Sequence, residues 1–182
     1  MKRILMPLAP GFEEIEALAV VDILRRAGAD VVTAGTVEGP ITGRNKIRVL
    51  ADKGLDEALT EGFDIIVLPG GAEGTRHLKE DRRIKKVLQG YSEEKKLIAA
   101  ICAAPTVLAA AGLTKGRTIT SHPGVHEELK NENLSEERVV VDNNIITSQG
   151  PGTAIEFAFC LVTILFGREK TEEVNAGVLA RI

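Results

Sequence analysis

Short apolar runs alternate with longer helical stretches along this chain, and that alternation predicts an α/β protein with a mostly parallel sheet covered by helices on both faces. The runs are short and nearly all aliphatic, as strands inside such a sheet must be. Composition agrees: of 182 residues 44% are hydrophobic and only 3% aromatic, so the core is large and aliphatic. That length suits one domain, spanning residues 1–182.

Taken in order, strands are expected at Arg3–Leu8, Asp30–Ala34, Asp64–Leu68, Leu97–Ile101, Thr118–Thr120 and Ile145–Ser148. Helices are expected at Glu13–Ala27, Ile84–Glu94, Pro105–Ala111, His122–Lys130 and Thr153–Phe166. Gly, Pro and Asn interrupt the pattern between Gly39 and Leu50, and an Asp-Asn-Asn turn interrupts it between Arg138 and Ile146. Both read as small antiparallel excursions. Repeats, low-complexity tracts and interdomain linkers are not found.

Charge narrows the function classes. There are 23 basic and 26 acidic residues for a net charge of -3, with no basic run interleaved with aromatics, which argues against nucleic-acid binding. No apolar stretch reaches the 18 or so residues of a membrane span, so a soluble cytoplasmic protein is expected. Cys102 and Cys160 are expected to be reduced thiols, one on a turn and the other in the core of the last expected helix.

In sheets of this kind ligands gather beyond the carboxyl ends of the strands. Cys102 lies there, between the strand Leu97–Ile101 and the helix opened by Pro105. Unpaired helix N–H groups and the positive end of the dipole favour its thiolate, and strand-to-helix turns are where activated nucleophiles recur. Packing alone is the competing explanation.

The first helix opens with Glu13, Glu14 and Glu16. At 3.6 residues per turn, Phe12, Ile15, Ala19, Val20, Ile23 and Ala27 form one apolar stripe; Glu16 falls inside it, Glu14 opposite and Glu13 at the margin. A buried carboxyl must find a cation or keep its proton. Glu16 is thus a second candidate, either paired with a base such as Arg26 or protonated beside Cys102, where it would donate a hydrogen bond to the thiolate and to an oxidised sulfur.

Pro69-Gly70-Gly71 follows a strand at once and can aim amides into the crevice, where with the Ala103 amide they would form an oxyanion hole. His122 stands at another strand end, placed either to move protons for Cys102 or to cap a helix. His122 and His126 are four apart, but no further ligand follows nearby, so no metal is expected. His77 reads as solvated, and Gly150-Pro151-Gly152-Thr153 as a turn and helix cap.

Together these segments resemble the ThiJ/PfpI superfamily, and within it the branch of the parkinsonism-associated deglycase and its bacterial relatives. The resemblance runs nearly end to end through Gly11-Phe12-Glu13-Glu14-Ile15-Glu16, Val67-Leu68-Pro69-Gly70-Gly71, Ala99-Ala100-Ile101-Cys102-Ala103-Ala104-Pro105, Thr120-Ser121-His122-Pro123 and Thr147-Ser148-Gln149-Gly150-Pro151-Gly152-Thr153. It implies a flavodoxin-like three-layer α/β sandwich, usually a homodimer built partly on the first helix, with Arg26 near the interface. By the same resemblance Cys102 is the reactive, oxidation-prone cysteine, Glu16 its partner acid and His122 the histidine of the site, while the amides of Gly71 and Ala103 face the sulfur's oxygens.

The activity so implied is a cofactor-independent, glyoxalase- or deglycase-like conversion of reactive aldehydes such as methylglyoxal, or of glycated amines and thiols. A redox sensor or redox-regulated chaperone that reports oxidation of Cys102 is a second expectation. A cysteine peptidase is a third, disfavoured because Ala103 stands where that branch carries histidine. Class I glutamine amidotransferases want a late His-x-Glu pair, which is absent after Gly150.

Overall fold

The computed structural model describes residues 1–181. In chain order its elements are β1 (Arg3–Leu8), α1 (Glu14–Arg26), β2 (Asp30–Gly35), β3 (Ile41–Thr42), β4 (Arg48–Val49), β5 (Lys53–Gly54), α2 (Leu55–Ala58), β6 (Ile65–Leu68), α3 (Ala72–Glu80), α4 (Arg82–Glu93) and β7 (Leu97–Ile101). These are followed by α5 (Pro105–Ala110), β8 (Thr118–Ile119), β9 (Asn133–Leu134), β10 (Val139–Asp142), β11 (Ile145–Ser148), α6 (Ala154–Phe166) and α7 (Arg168–Val178).

The central sheet has seven strands in the order β10-β11-β7-β6-β1-β2-β5. All neighbours are parallel except the β10–β11 hairpin. The order β2-β1-β6-β7-β11 is that of a flavodoxin-like sheet, with β5 and β10 added at the edges. Side chains alternate between the two faces. Ile4, Met6, Leu8, Val67 and Ile101 face α1 and α6, whereas Leu5, Ile66, Leu68, Ile98 and Ala100 face α3, α4 and α5. The inner strands β1, β6 and β7 are therefore buried on both sides, which is why their sequences are almost unbroken aliphatic.

Several expected elements differ. Thr118–Ile119 does not join the central sheet but pairs in parallel with β9 in a separate two-stranded ladder. The expected helix His122–Lys130 is a single turn of 3-10 helix at Pro123–Val125 followed by turns. Pro123 and Gly124 supply a turn, and this segment has little apolar surface to bury: Leu129 is its one buried hydrophobic side chain. Helices α3 and α7 lie outside the stretches that periodicity marked; α7 buries only Val174, too thin a stripe to signal a helix. The excursion between Gly39 and Leu50 is the antiparallel hairpin β3–β4, as its turn residues predicted.

The chain moves from β1 outward to β2, then returns to place β6 on the other side of β1. The crevice beyond β1 and β6 is the switch point of the sheet, the position where such folds take ligands. No helix among the described residues is long and apolar enough to cross a membrane.

Candidate active site

Three strand ends meet at this crevice. From β7 comes Cys102, whose φ of 65° places a non-glycine residue in the left-handed region. That conformation costs about 1 kcal/mol or more and is kept only where neighbours enforce it. They do so on both sides: the Cys102 amide donates to the Ser148 carbonyl at 2.9 Å, and the Cys102 carbonyl accepts from the His122 amide at 2.9 Å. The sharp turn lifts the sulfur off the sheet, and Pro105 starts α5 directly behind it.

From β6 come Gly70 and Gly71. A Cβ on Gly71 would lie 2.3 Å from the Gly11 carbonyl, and the residue has a φ of 90°. A Cβ on Gly70 would lie 2.5 Å from the Glu16 carboxyl and 2.6 Å from the Cys102 Cβ. The glycine pair is thus what allows the three strand ends to close up.

From the helix after β1 comes Glu16, fully buried. Its Oε2 accepts a hydrogen bond from the Gly70 amide at 2.8 Å. Oε1 is buried with no hydrogen-bond partner, and Cys102 is the neighbouring side chain that bears on the carboxyl, across Gly70. Arg26, the alternative partner, pairs with Asp22 at 2.7 Å instead. Burial therefore pushes the Glu16 carboxyl up to about 7, against the opposing pull of Cys102 and the Gly70 amide.

The thiolate expected at Cys102 is not favoured by its surroundings taken alone. Burial, reinforced by the Glu16 carboxylate, pushes the thiol up to about 12, while the amides of Gly71 and Ala103 pull it down. The two groups titrate as a pair. Near neutral pH the thiol keeps its proton and the Glu16 carboxyl is close to the midpoint of its own titration, while both negative charges together are strongly disfavoured.

The structure thus brings Glu16, Cys102, Gly71 and Ala103 together. His122 joins them through its backbone; its side chain is exposed, and Nδ1 accepts from the Gly124 amide at 3.0 Å, which leaves Nε2 as the nitrogen open to solvent. His122 and His126 gather no third acidic, histidine or cysteine side chain that could complete a metal site among the described residues. His77 is not merely solvated: its Nδ1 lies 2.9 Å from the Pro10 carbonyl, tying α3 to the loop before α1. Cys160 is half-buried rather than core, and both cysteines are free.

Sequence periodicity misplaced two residues of α1. Ile15 is 55% exposed although it belongs to the apolar stripe, and Glu14 is buried although it points away from the sheet. The cover over Glu14 is the β3–β4 hairpin, whose Asn45 and Ile47 amides donate to Oε1 at 2.8 and 3.2 Å. Arg44, on the same hairpin, is a cation whose charge pulls the Glu16 titration down. Residues about thirty positions away supply this cover, and no local pattern in α1 could announce it.

Comparison with known proteins agrees with this fold. The chain is 40% identical over 185 residues to the zebrafish (Danio rerio) Parkinson disease protein 7 homolog, covering 99% of this chain and 98% of that protein. It is 38% identical over 164 residues to a Caenorhabditis elegans protein named glutathione-independent glyoxalase DJR-1.2, covering 89% of this chain and 87% of that one. The crystal structure of Drosophila melanogaster DJ-1beta superposes with a TM-score of 0.96 at 40% identity, covering 100% of this chain and 99% of that chain. The DJ-1/PfpI family model matches residues 2–164, and the chain belongs to that family.

Proposed function

We propose that the protein is a cofactor-independent glyoxalase- or deglycase-like stress protein in which Cys102 attacks reactive aldehydes such as methylglyoxal. The observation that carries the reading is the fully buried Glu16 carboxyl held beside Cys102, the two approaching over Gly70, where a Cβ would stand 2.5 Å from one and 2.6 Å from the other. A relative named as a glutathione-independent glyoxalase supports the same substrate class.

The pair suits the chemistry. Sulfur adds to the aldehyde carbon as its proton passes through Glu16 to the new oxygen, giving a hemithioacetal. The hydrogen on that carbon leaves as a proton to the pair and returns to the adjacent ketone carbon. The first carbon thereby reaches the thioester level and the second becomes an alcohol, so no external oxidant or reductant enters. Water cleaves the thioester to the hydroxy acid and restores the thiol. The amides of Gly71 and Ala103 stabilise negative charge beside the sulfur, and His122 Nε2 carries protons to and from solvent. Hydrolysis of early adducts on amines and thiols uses the same nucleophile.

A second reading has its own support. The amides of Gly71 and Ala103, directed at the sulfur, also suit the oxygens of a sulfenate or sulfinate, as a redox sensor or redox-regulated chaperone would need. A methylglyoxal-to-lactate assay combined with peroxide titration separates the two: sulfinate formation without turnover supports the sensor. In either case we expect a homodimer on α1, where Ile15 and Leu18 are exposed.

A further inference from the structure

The β3–β4 hairpin is fastened to the start of α1 by backbone and side-chain hydrogen bonds. The Gly11 amide donates to the Thr42 carbonyl at 2.8 Å, and the Arg44 amide donates to the Phe12 carbonyl at 2.8 Å. Between these lies Glu14, 3% exposed, which accepts from the amides of Asn45 and Ile47 and from Asn45 Nδ2 at 3.1 Å. Burial alone would raise its carboxyl, but its own amide together with Asn45 and Ile47 holds it below the ordinary carboxylate value, so it stays ionised at neutral pH. Gly43 is part of the same fit: a Cβ there would stand 2.4 Å from the Glu14 carboxyl carbon.

The hairpin carries one group toward the crevice. The Arg44 guanidinium, 61% exposed, lies 3.8 Å from the Glu13 carboxylate, which is itself buried and accepts from Asn45 Nδ2 at 3.3 Å. We propose that Glu14 is a positioning residue: its buried carboxylate fixes the hairpin so that Arg44 stands beside Glu13 at the rim of the Glu16–Cys102 pair, setting the protonation at which the pair reacts. The role rests on the reading of Glu16 and Cys102 as the reacting groups.

The sign of the effect follows from the charges around Glu16. Facing it are Cys102 from the turn after β7, the Gly70 amide after β6, Glu13 from the start of α1 and Arg44 from the hairpin. Glu13 raises the Glu16 titration and Arg44 lowers it. Releasing the hairpin removes the cation and moves the titration up. Deleting the Glu14 charge, if Glu14 acted on the pair directly, would move it down, so the two mechanisms have opposite signs.

The test is the pH dependence of Cys102 alkylation by iodoacetamide, read on the Cys102 peptide by mass spectrometry so that Cys160 does not contribute. It is measured in the full chain for wild type, Glu14→Gln, Gly43→Ala, Arg44→Gln and the Glu14→Gln/Arg44→Gln pair. Gly43→Ala releases the hairpin without changing charge, and carries the test if Glu14→Gln does not fold. Each single variant is expected to move the inflection up by roughly half a pH unit, the scale of one partly screened charge. The double variant is expected to move it no further than Arg44→Gln alone. An unmoved or lowered inflection in Glu14→Gln or Gly43→Ala, an unmoved one in Arg44→Gln, or additive shifts in the double variant would overturn the proposal. Alkylation requires no turnover, so failure of the aldehyde chemistry would show separately, as turnover that survives Cys102→Ser.

Discussion

Gly70 and Glu16 are joined by a buried hydrogen bond of 2.8 Å that crosses from the end of β6 to the first turns of α1. It fixes one carboxyl oxygen and leaves the other buried without a partner, so a single backbone amide orients the acid of the pair. Because Gly70 has no side chain, sulfur and carboxyl can approach over it.

This arrangement makes stability depend on pH. Glu16 sits at about 7 in the folded chain, raised from the ordinary 4.5, so the folded state binds more protons than the unfolded one between those values. Its contribution is complete below pH 4.5 and is lost as the pH rises through 7, with a span of about 3 kcal/mol as an upper bound. Glu16→Gln keeps an oxygen for the Gly70 amide and cannot titrate. In denaturant melts the variant should gain stability relative to wild type between pH 5 and pH 8.

The two glycines should respond differently to alanine. Gly71→Ala meets the Gly11 backbone and an unfavourable φ, and should lose roughly 3 kcal/mol of stability or fail to fold. Gly70→Ala meets the Ile101 carbonyl at 2.9 Å as well as Glu16 and Cys102 but has no positive φ, so it should lose less stability than Gly71→Ala and also change reactivity of the thiol. Thermal melts and thiol alkylation rates measured on both variants check this contrast.

Peroxide should distinguish the cysteines. Burial and Glu16 push the Cys102 thiol up to about 12, but the amides of Gly71 and Ala103 are directed at its sulfur and can hold the oxygens of an oxidised product, whereas at Cys160 burial and Glu156 push upward and no amide opposes them. Mass spectrometry after graded peroxide is expected to show added oxygen on Cys102 well before Cys160.

Light scattering should report a particle of twice 19.5 kDa. Replacing Leu18 by Arg on the exposed face of α1 should reduce it to the monomer mass, with circular dichroism unchanged. A monomeric wild-type chain would refute the expected dimer.

Much of this architecture is legible in the sequence, for identifiable reasons. The parallel strands are aliphatic because both their faces are buried, and Cys102 is conspicuous because it interrupts the junction of such a strand with a Pro-initiated helix. Glu16 is found by helical spacing, since an acid inside an apolar stripe requires an explanation. The same spacing misplaces Ile15 and Glu14, because a helix wheel knows only its own axis. Ile15 is left exposed, and Glu14 is covered by a hairpin arriving from residues 41–49. The segment 122–130 has helix-forming residues but almost no apolar surface, and without burial to hold it, turns prevail. The tuning by Arg44 depends on tertiary placement alone.

The central claim is that the Glu16–Cys102 pair transforms aldehydes, and the most direct measurement is conversion of methylglyoxal to lactate by wild type, Cys102→Ser and Glu16→Gln. We expect turnover in the wild type, none above background in Cys102→Ser, and a loss of about 100-fold or more in Glu16→Gln, in line with removal of a proton-transfer group. Lactate formation undiminished in Cys102→Ser would contradict the account.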